Sequence, residues 1–119
     1  MSVVSSDNMV MENITFENIF VDDFTESSLI DLRIENNVWT YSNGKKIRNI
    51  RFANIDYVGD NNNPSLINGS DDKYIDTVVF DQIRINGEYV STIEEGNFHV
   101  GSNAKNLYFI NGENHKFYE

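Results

Sequence analysis

Four stretches of the chain share one pattern of apolar and polar positions. They are Asn13–Val21, Asn49–Tyr57, Thr77–Ile85 and Asn106–Gly112, and their phenylalanines lie 36, 28 and 29 residues apart. A side-chain pattern that recurs at such spacings is typical of a repeat architecture, in which each unit packs only on its neighbours.

Within each stretch the apolar residues alternate, which predicts β-strands. In the second stretch Ile50 and Phe52 are followed by Ile55 and Tyr57, so the alternation is broken by one step at Asn54. A bend at this break directs the apolar residues of both flanking strands into one interior. The break falls on an amide residue in every repeat, and stacking of the repeats predicts a structural amide ladder. Its members are Asn18, Asn54, Gln82 and Asn111.

Shorter apolar segments lie between these stretches and predict secondary strands at Ser28–Ile34, Pro64–Gly69 and Tyr89–Ile93. Turn residues cluster around them, as in Asn86-Gly87. We therefore predict an all-β fold, a right-handed parallel β-helix of three to four coils that occupies residues 1–119 as one segment. The alternative is an antiparallel β-sandwich with a hairpin turn at Asn86-Gly87, but a sandwich does not require the same side-chain pattern at a regular spacing.

The composition supports a folded β-rich chain and restricts its partners. Asparagine occurs 18 times, and 15 residues are Phe, Tyr or Trp. The net charge of −10 argues against binding to nucleic acids or anionic membranes, which requires clustered Lys and Arg. An acidic surface also repels a polyanionic glycan unless a local basic groove overrides it.

The absence of cysteine excludes disulfides, a thiolate nucleophile and cysteine-ligated metals. This composition fits a cytosolic protein and equally a bacterial secreted protein. The segment Met1–Asp7 lacks the basic start and apolar stretch of a signal peptide, and no apolar run is long enough to span a membrane.

The Asn-Ile-x-Phe-x-Asn-Ile phrase of Asn13–Ile19 and Asn49–Ile55 resembles the coils of pectin-lyase-like β-helices. The similarity is greatest to the polygalacturonase type, glycoside hydrolase family 28, and is clearest over residues 45–90. It implies that the chain forms the C-terminal coils of a longer polysaccharide-degrading hydrolase, with a polysaccharide or oligosaccharide as its partner. It also implies an extracytoplasmic or secreted parent, whose signal would lie upstream.

The resemblance does not extend to the catalytic motifs of that family. The sequence has no Asn-Thr-Asp and no Gly-His-Gly motif, and its nearest match to the substrate-binding Arg-Ile-Lys is Arg33-Ile34-Glu35. We therefore predict no catalytic residues and no cofactor, and expect the isolated chain to be inactive as a hydrolase.

The best candidates for substrate binding are Arg33, Trp39 and Tyr41. An aromatic face packs well on a sugar ring, and an arginine pairs with a carboxylated sugar. The competing interpretation is that Trp39 caps the core or packs under its own loop.

Other chemically notable residues favour ordinary roles. The pairs Asp22-Asp23 and Asp71-Asp72 lie near turns, and adjacent strand residues point to opposite faces, so neither pair forms a glycosidase dyad unaided. His99 and His115 lack ligand-spaced partners, so no metal site is predicted.

The alternative function is a non-catalytic glycan-binding or self-assembling solenoid module. An open coil exposes unpaired strand edges and core side chains, which predicts a homo-oligomer formed through the exposed ends.

Overall fold

A computed structural model describes residues 1–5, 10–37, 42–43, 46–70, 73–111 and 116–118. The described residues form β-strands, turns and bends, with no helix among them. In chain order the strands are β1 (Ser2–Ser5), β2 (Val10–Val21), β3 (Asp31–Ile34), β4 (Asn36–Asn37), β5 (Ser42–Asn43), β6 (Lys46–Tyr57), β7 (Ser65–Asn68), β8 (Tyr74–Ile85), β9 (Glu88–Tyr89), β10 (Phe98–Val100), β11 (Ala104–Ile110) and β12 (Lys116–Tyr118). The predicted all-β class is confirmed.

Two parallel sheets make up most of this structure. The smaller sheet has the order β1-β3-β7-β10, and the larger has the order β2-β6-β8-β11 with β12 added antiparallel to β11. The parallel strands alternate between the two sheets along the chain, so each pair of neighbours in one sheet is connected through a strand of the other. Parallel pairing contradicts the antiparallel sandwich. The hairpin turn at Asn86-Gly87 does form, with φ of 50° and 85°, but it joins only β8 to the short β9.

The long strands are in the register that the repeat requires. Phe52 is opposite Phe16 on one side and Phe80 on the other, and Phe109 is opposite Phe80. The four rings form a column with centroid separations of 5.2, 5.6 and 4.9 Å between successive members. This spacing is close to the distance of about 4.8 Å between neighbouring strands, so the backbone pairing itself brings the rings into contact.

Each long strand is bent at residues with left-handed backbone angles. These bends lie at Asn13 and Asn18 in β2, Asn49 and Asn54 in β6, Thr77 and Gln82 in β8, and Asn106 in β11. The sequence predicted one break per repeat, and the structure adds a second, five residues earlier in each 12-residue strand. The bends keep apolar side chains on the inner side of the strand along its whole length. In β6 the fully or nearly fully buried side chains include Ile47, Ile50, Phe52, Ile55 and Tyr57.

The predicted short strands are found in two of three places. Ser28–Ile34 contains β3 and Pro64–Gly69 contains β7, but Tyr89–Ile93 is mostly irregular, and β10 supplies the next strand of the small sheet. The apolar pattern of Tyr89–Ile93 still reflects burial, because Val90 is 2% exposed and its N–H donates to the carbonyl of Ile83 at 2.8 Å.

Candidate functional site

The guanidinium of Arg33 is already engaged by carboxylates. In β3 its Nε lies 2.8 Å from Asp31 Oδ1, and a terminal nitrogen lies 3.0 Å from Glu35 Oε1. A carboxylated sugar at this position would have to compete with two negative charges. The other two predicted substrate-binding residues, Trp39 and Tyr41, lie outside the described residues.

The four residues of the predicted amide ladder occupy related places but do not all make the same contacts. Asn54 Nδ2 donates to Asn18 Oδ1 at 2.8 Å, and the Arg84 guanidinium contacts Asn54 Oδ1 from the other side. Gln82 has the left-handed φ of the equivalent position, 57°, and its side chain is exposed. Asn111 follows the end of β11 and donates from Nδ2 to Ser91 Oγ at 3.2 Å.

A second row of polar residues, which was not predicted from the sequence, lies at the earlier bend of each long strand. Asn49 Nδ2 donates to Asn13 Oδ1 at 2.6 Å. Further along the row, Asp76 Oδ1 accepts from Asn106 Nδ2 at 2.8 Å and from Thr77 Oγ1 at 3.0 Å. The signal was available, because Asn13, Asn49, Thr77 and Asn106 each precede the repeat phenylalanine by three residues.

Asp23 anchors the loops that follow β2 and β6. Its Oδ1 accepts from Tyr57 Oη at 2.8 Å and from the backbone N–H groups of Phe24 and Asp60 at 3.0 and 3.2 Å. The hydrogen bond from Tyr57, aided by those backbone donors, lowers the pKa of the Asp23 carboxyl. Asp22 is exposed and makes none of these contacts among the described residues.

Of the remaining candidate residues, the structure describes only His99. His99 is an exposed residue of β10. His115 and the pair Asp71-Asp72 fall outside the described residues. No group of three or more His, Cys, Asp or Glu side chains within the described part of the chain is placed to hold a metal ion.

Among the described residues, three carboxyls have a lowered pKa, and stability should depend on pH through them. The pKa of Asp23 is lowered chiefly by Tyr57, that of Asp56 by Arg84, and that of Asp76 by Asn106. A lowered folded-state pKa adds stability above the unfolded value, near 3.8 for an aspartate, and this contribution is lost as the pH falls through the folded-state value. We expect the urea midpoint to decrease as the pH falls below about 5.

Asp23→Asn should reduce this decrease, because asparagine keeps the accepting oxygen but does not titrate. Asp22→Asn is the matched control and should retain the full pH dependence of the unmodified chain. An equal decrease in all three proteins would show that the Asp23 contacts do not contribute to it.

An open cavity of about 520 Å³ lies where the loops after β2, β6 and β8 meet. Apolar and aromatic side chains form part of its wall, including Phe24, Leu29, Tyr57 and Ile85. The polar lining is mostly amides and carboxylates with one serine, namely Asp60, Asn61, Asn62, Asn63, Ser65, Asn86, Glu95 and Asn97. No lysine or arginine is among the described residues that line it.

Hydrogen bonds between the loops hold the cavity wall together. Asn61 donates from Nδ2 to the Phe24 carbonyl at 2.7 Å, and Asn86 exchanges two hydrogen bonds of 2.9 Å with the backbone of Gly59. Asn97 donates from Nδ2 to the Asn62 carbonyl at 3.0 Å. The side-chain amides of Asn61, Asn86 and Asn97 are therefore already hydrogen-bonded to the backbone of neighbouring loops. The Asp60 carboxylate is exposed in the wall, and Glu95 is exposed there with one of its oxygens accepting from the Ser91 N–H at 2.9 Å.

Arginine and lysine side chains of β6, β8 and β11 form ion pairs with carboxylates of the large sheet. Arg48 pairs with Glu12, Arg51 with Asp81, Arg84 with Asp56 and Lys105 with Asp76. Among the described residues, these pairs alternate in charge along the sheet and do not form a basic groove of the kind that would hold a polyanionic glycan.

No protein-family model, curated protein or solved structure matches the chain. Among the described residues, no helix is long and apolar enough to cross a membrane.

Proposed function

We propose that this chain is a right-handed parallel β-helix segment of a polysaccharide-acting protein, and that it binds a neutral glycan without cleaving it. The helical winding is supported by the alternation of strands between two parallel sheets, by the matched register of the phenylalanines and by the strong preference of parallel crossovers for the right hand. The assignment to polysaccharides takes the resemblance to pectin-lyase-like coils as its starting point.

The cavity between the three loops is the observation that carries the binding function. Phe24 offers an aromatic surface for the apolar face of a sugar ring, packed against Tyr57 at a centroid distance of 5.3 Å. The carboxylates of Asp60 and Glu95 accept hydrogen bonds, and sugar hydroxyl groups are suitable donors. A concave site with an aromatic wall and a few polar groups is a typical small-ligand site.

The charge of the cavity selects against an acidic sugar. Asp60 and Glu95 are both exposed in its wall, and no described cation lines it. The Arg33 guanidinium, the other residue considered for a carboxylated sugar, is held by Asp31 and Glu35. We therefore assign a neutral oligosaccharide to the site instead of a galacturonate chain.

Isothermal titration of the protein with neutral oligosaccharides and with oligogalacturonate of equal length tests this function. We expect one neutral glycan to bind, and oligogalacturonate to bind at least about tenfold more weakly at low ionic strength because of charge repulsion. Phe24→Ala should weaken binding of the neutral glycan by about tenfold. This corresponds to about 1.4 kcal/mol of binding free energy from the lost aromatic contact.

Phe20→Ala is the matched control, because Phe20 is 63% exposed and does not line the cavity. Equal losses in the two variants would contradict the cavity as the binding site. Tighter binding of oligogalacturonate would contradict the assignment to neutral glycans, and release of reducing ends by the purified chain would contradict a role limited to binding.

A further inference from the structure

A second cavity adjoins the cavity between the three loops. It has a volume of about 420 Å³ and lies beside the hairpin of β8 and β9. The described residues that line it are Ile85, Asn86, Glu88, Tyr89, Val90 and Glu95. Three of them, Ile85, Asn86 and Glu95, also line the first cavity, so the two cavities meet along these residues.

Hydrogen bonds fix the walls of the second cavity. The Ser91 N–H donates to Glu95 Oε1 at 2.9 Å, and the Glu95 N–H donates to Thr92 Oγ1 at 3.0 Å. At the boundary between the cavities, Asn86 is held by its two hydrogen bonds to the backbone of Gly59. A wall that is already ordered loses little conformational entropy when a ligand binds.

Tyr89 supplies an aromatic residue in the second cavity, as Phe24 does in the first. Tyr89 is 41% exposed, and the guanidinium carbon of Arg84 lies 5.4 Å from its ring centroid. Arg84 is itself held by Asp56, with hydrogen bonds of 2.5 and 2.7 Å. The cation–π contact therefore restrains the tyrosine ring from a fixed position, and its exposed surface is suited to a sugar ring.

The pairing of the strands separates the two aromatic residues. Phe24 packs on Tyr57 at the end of β6, and Tyr57 is opposite Ile85 of β8. Because Arg84 and Ile85 pair with β6 on one side, β9 pairs with β8 on the other side. Two strand spacings, about 10 Å, thus lie between β6 and β9. A sugar unit lengthens an extended oligosaccharide by roughly one such spacing, so a ligand that reaches both Phe24 and Tyr89 needs at least three units.

We propose that the two cavities together bind one extended neutral oligosaccharide of at least three sugar units, with Phe24 contacting one end and Tyr89 the other. Glu95 lies at the boundary and accepts a hydrogen bond from a hydroxyl group of the middle unit. Glu88 adds a further exposed carboxylate in the second cavity, so the selection against acidic sugars continues along the whole groove. This inference rests on the proposed glycan-binding function and adds to it the length of the ligand and a second aromatic contact.

Isothermal titration of the full chain with neutral gluco-, manno- and galacto-oligosaccharides of one to five units tests the inference. For each sugar that binds, we expect the affinity to rise at least about tenfold from two units to four and then to level off. Tyr89→Ala should remove this gain, weakening the four-unit probe about tenfold and leaving the two-unit probe unchanged. Phe24→Ala should weaken both probes.

Tyr74→Ala is the matched control and should bind every probe as the unmodified chain does. Tyr74 is 39% exposed, its ring centroid lies 4.7 Å from Lys105 Nζ, and it is not among the residues that line either cavity. Tyr89→Phe keeps the ring and should keep the gain with length.

An affinity that does not depend on length, or an equal effect of Tyr89→Ala on the two-unit and four-unit probes, would overturn this inference. Either result would leave the first cavity as a binding site for a shorter glycan. No binding of any probe would overturn the inference together with the proposed function.

Discussion

Replacing Phe80 with alanine is expected to lower the free energy of unfolding by about 3–5 kcal/mol. Phe80 is fully buried, and its ring contacts Phe52, Phe98 and Phe109 at centroid distances of 5.6, 4.8 and 4.9 Å. Alanine removes all three ring contacts and leaves a cavity that the parallel backbone cannot close, because hydrogen bonds fix the strand spacing on both sides of β8. Urea unfolding followed by circular dichroism measures the loss.

Two variants identify the source of this effect. Phe80→Leu fills much of the space, so it should lower the free energy of unfolding clearly less than Phe80→Ala does. Phe20→Ala removes the same ring from a side chain that is 63% exposed, and should change stability by no more than about 0.5 kcal/mol. A loss below about 1 kcal/mol for Phe80→Ala would mean that the phenylalanine column is not the main core.

The phenylalanine column was predictable from sequence because its geometry is repetitive. Phe16, Phe52, Phe80 and Phe109 recur at spacings of 36, 28 and 29 residues, and parallel pairing in register converts equal positions in the repeat into neighbours in space. The alternation around each phenylalanine predicted the strands for the same reason. Only the number of bends was underestimated, since the polar residue at the start of each phrase was not considered as a bend.

The ion pairs of Arg33 could also have been predicted from the local sequence, but they were not. Residues two apart in a strand point to the same face, so Asp31 and Glu35 flank Arg33 on that face. The likeness of Arg33-Ile34-Glu35 to a substrate-binding motif obscured this pairing. The structure shows both ion pairs, at 2.8 and 3.0 Å.

The cavity could not be predicted from the repeat, because it depends on loops that do not repeat. Asn61 reaches the Phe24 carbonyl across 37 residues, and Asn97 reaches the Asn62 carbonyl across 35. Such contacts depend on the tertiary arrangement of three turns. From local sequence, an asparagine in such a segment indicates only a turn.

Asn54→Ala is expected to lower the free energy of unfolding by about 2 kcal/mol, a large effect for an exposed residue. Asn54 has a left-handed φ of 54°, which costs about 1–2 kcal/mol for alanine because its Cβ crowds the backbone. The substitution also removes the donor to Asn18 Oδ1 and the acceptor for Arg84, for about 1 kcal/mol more. The same urea unfolding experiment measures the change.

Asn54→Gly separates the two contributions, because glycine adopts the left-handed angle freely but has no amide side chain. Asn54→Gly should therefore lower the free energy of unfolding by about half as much as Asn54→Ala. Asn62→Ala is the matched control, since Asn62 is exposed and is not among the residues with positive φ, and it should be nearly neutral. Equal losses for glycine and alanine would place the whole effect in the side-chain contacts. If neither Asn54→Ala nor Asn54→Gly changes the free energy of unfolding, the hydrogen bond between Asn18 and Asn54 is a consequence of strand stacking and does not stabilise the stack.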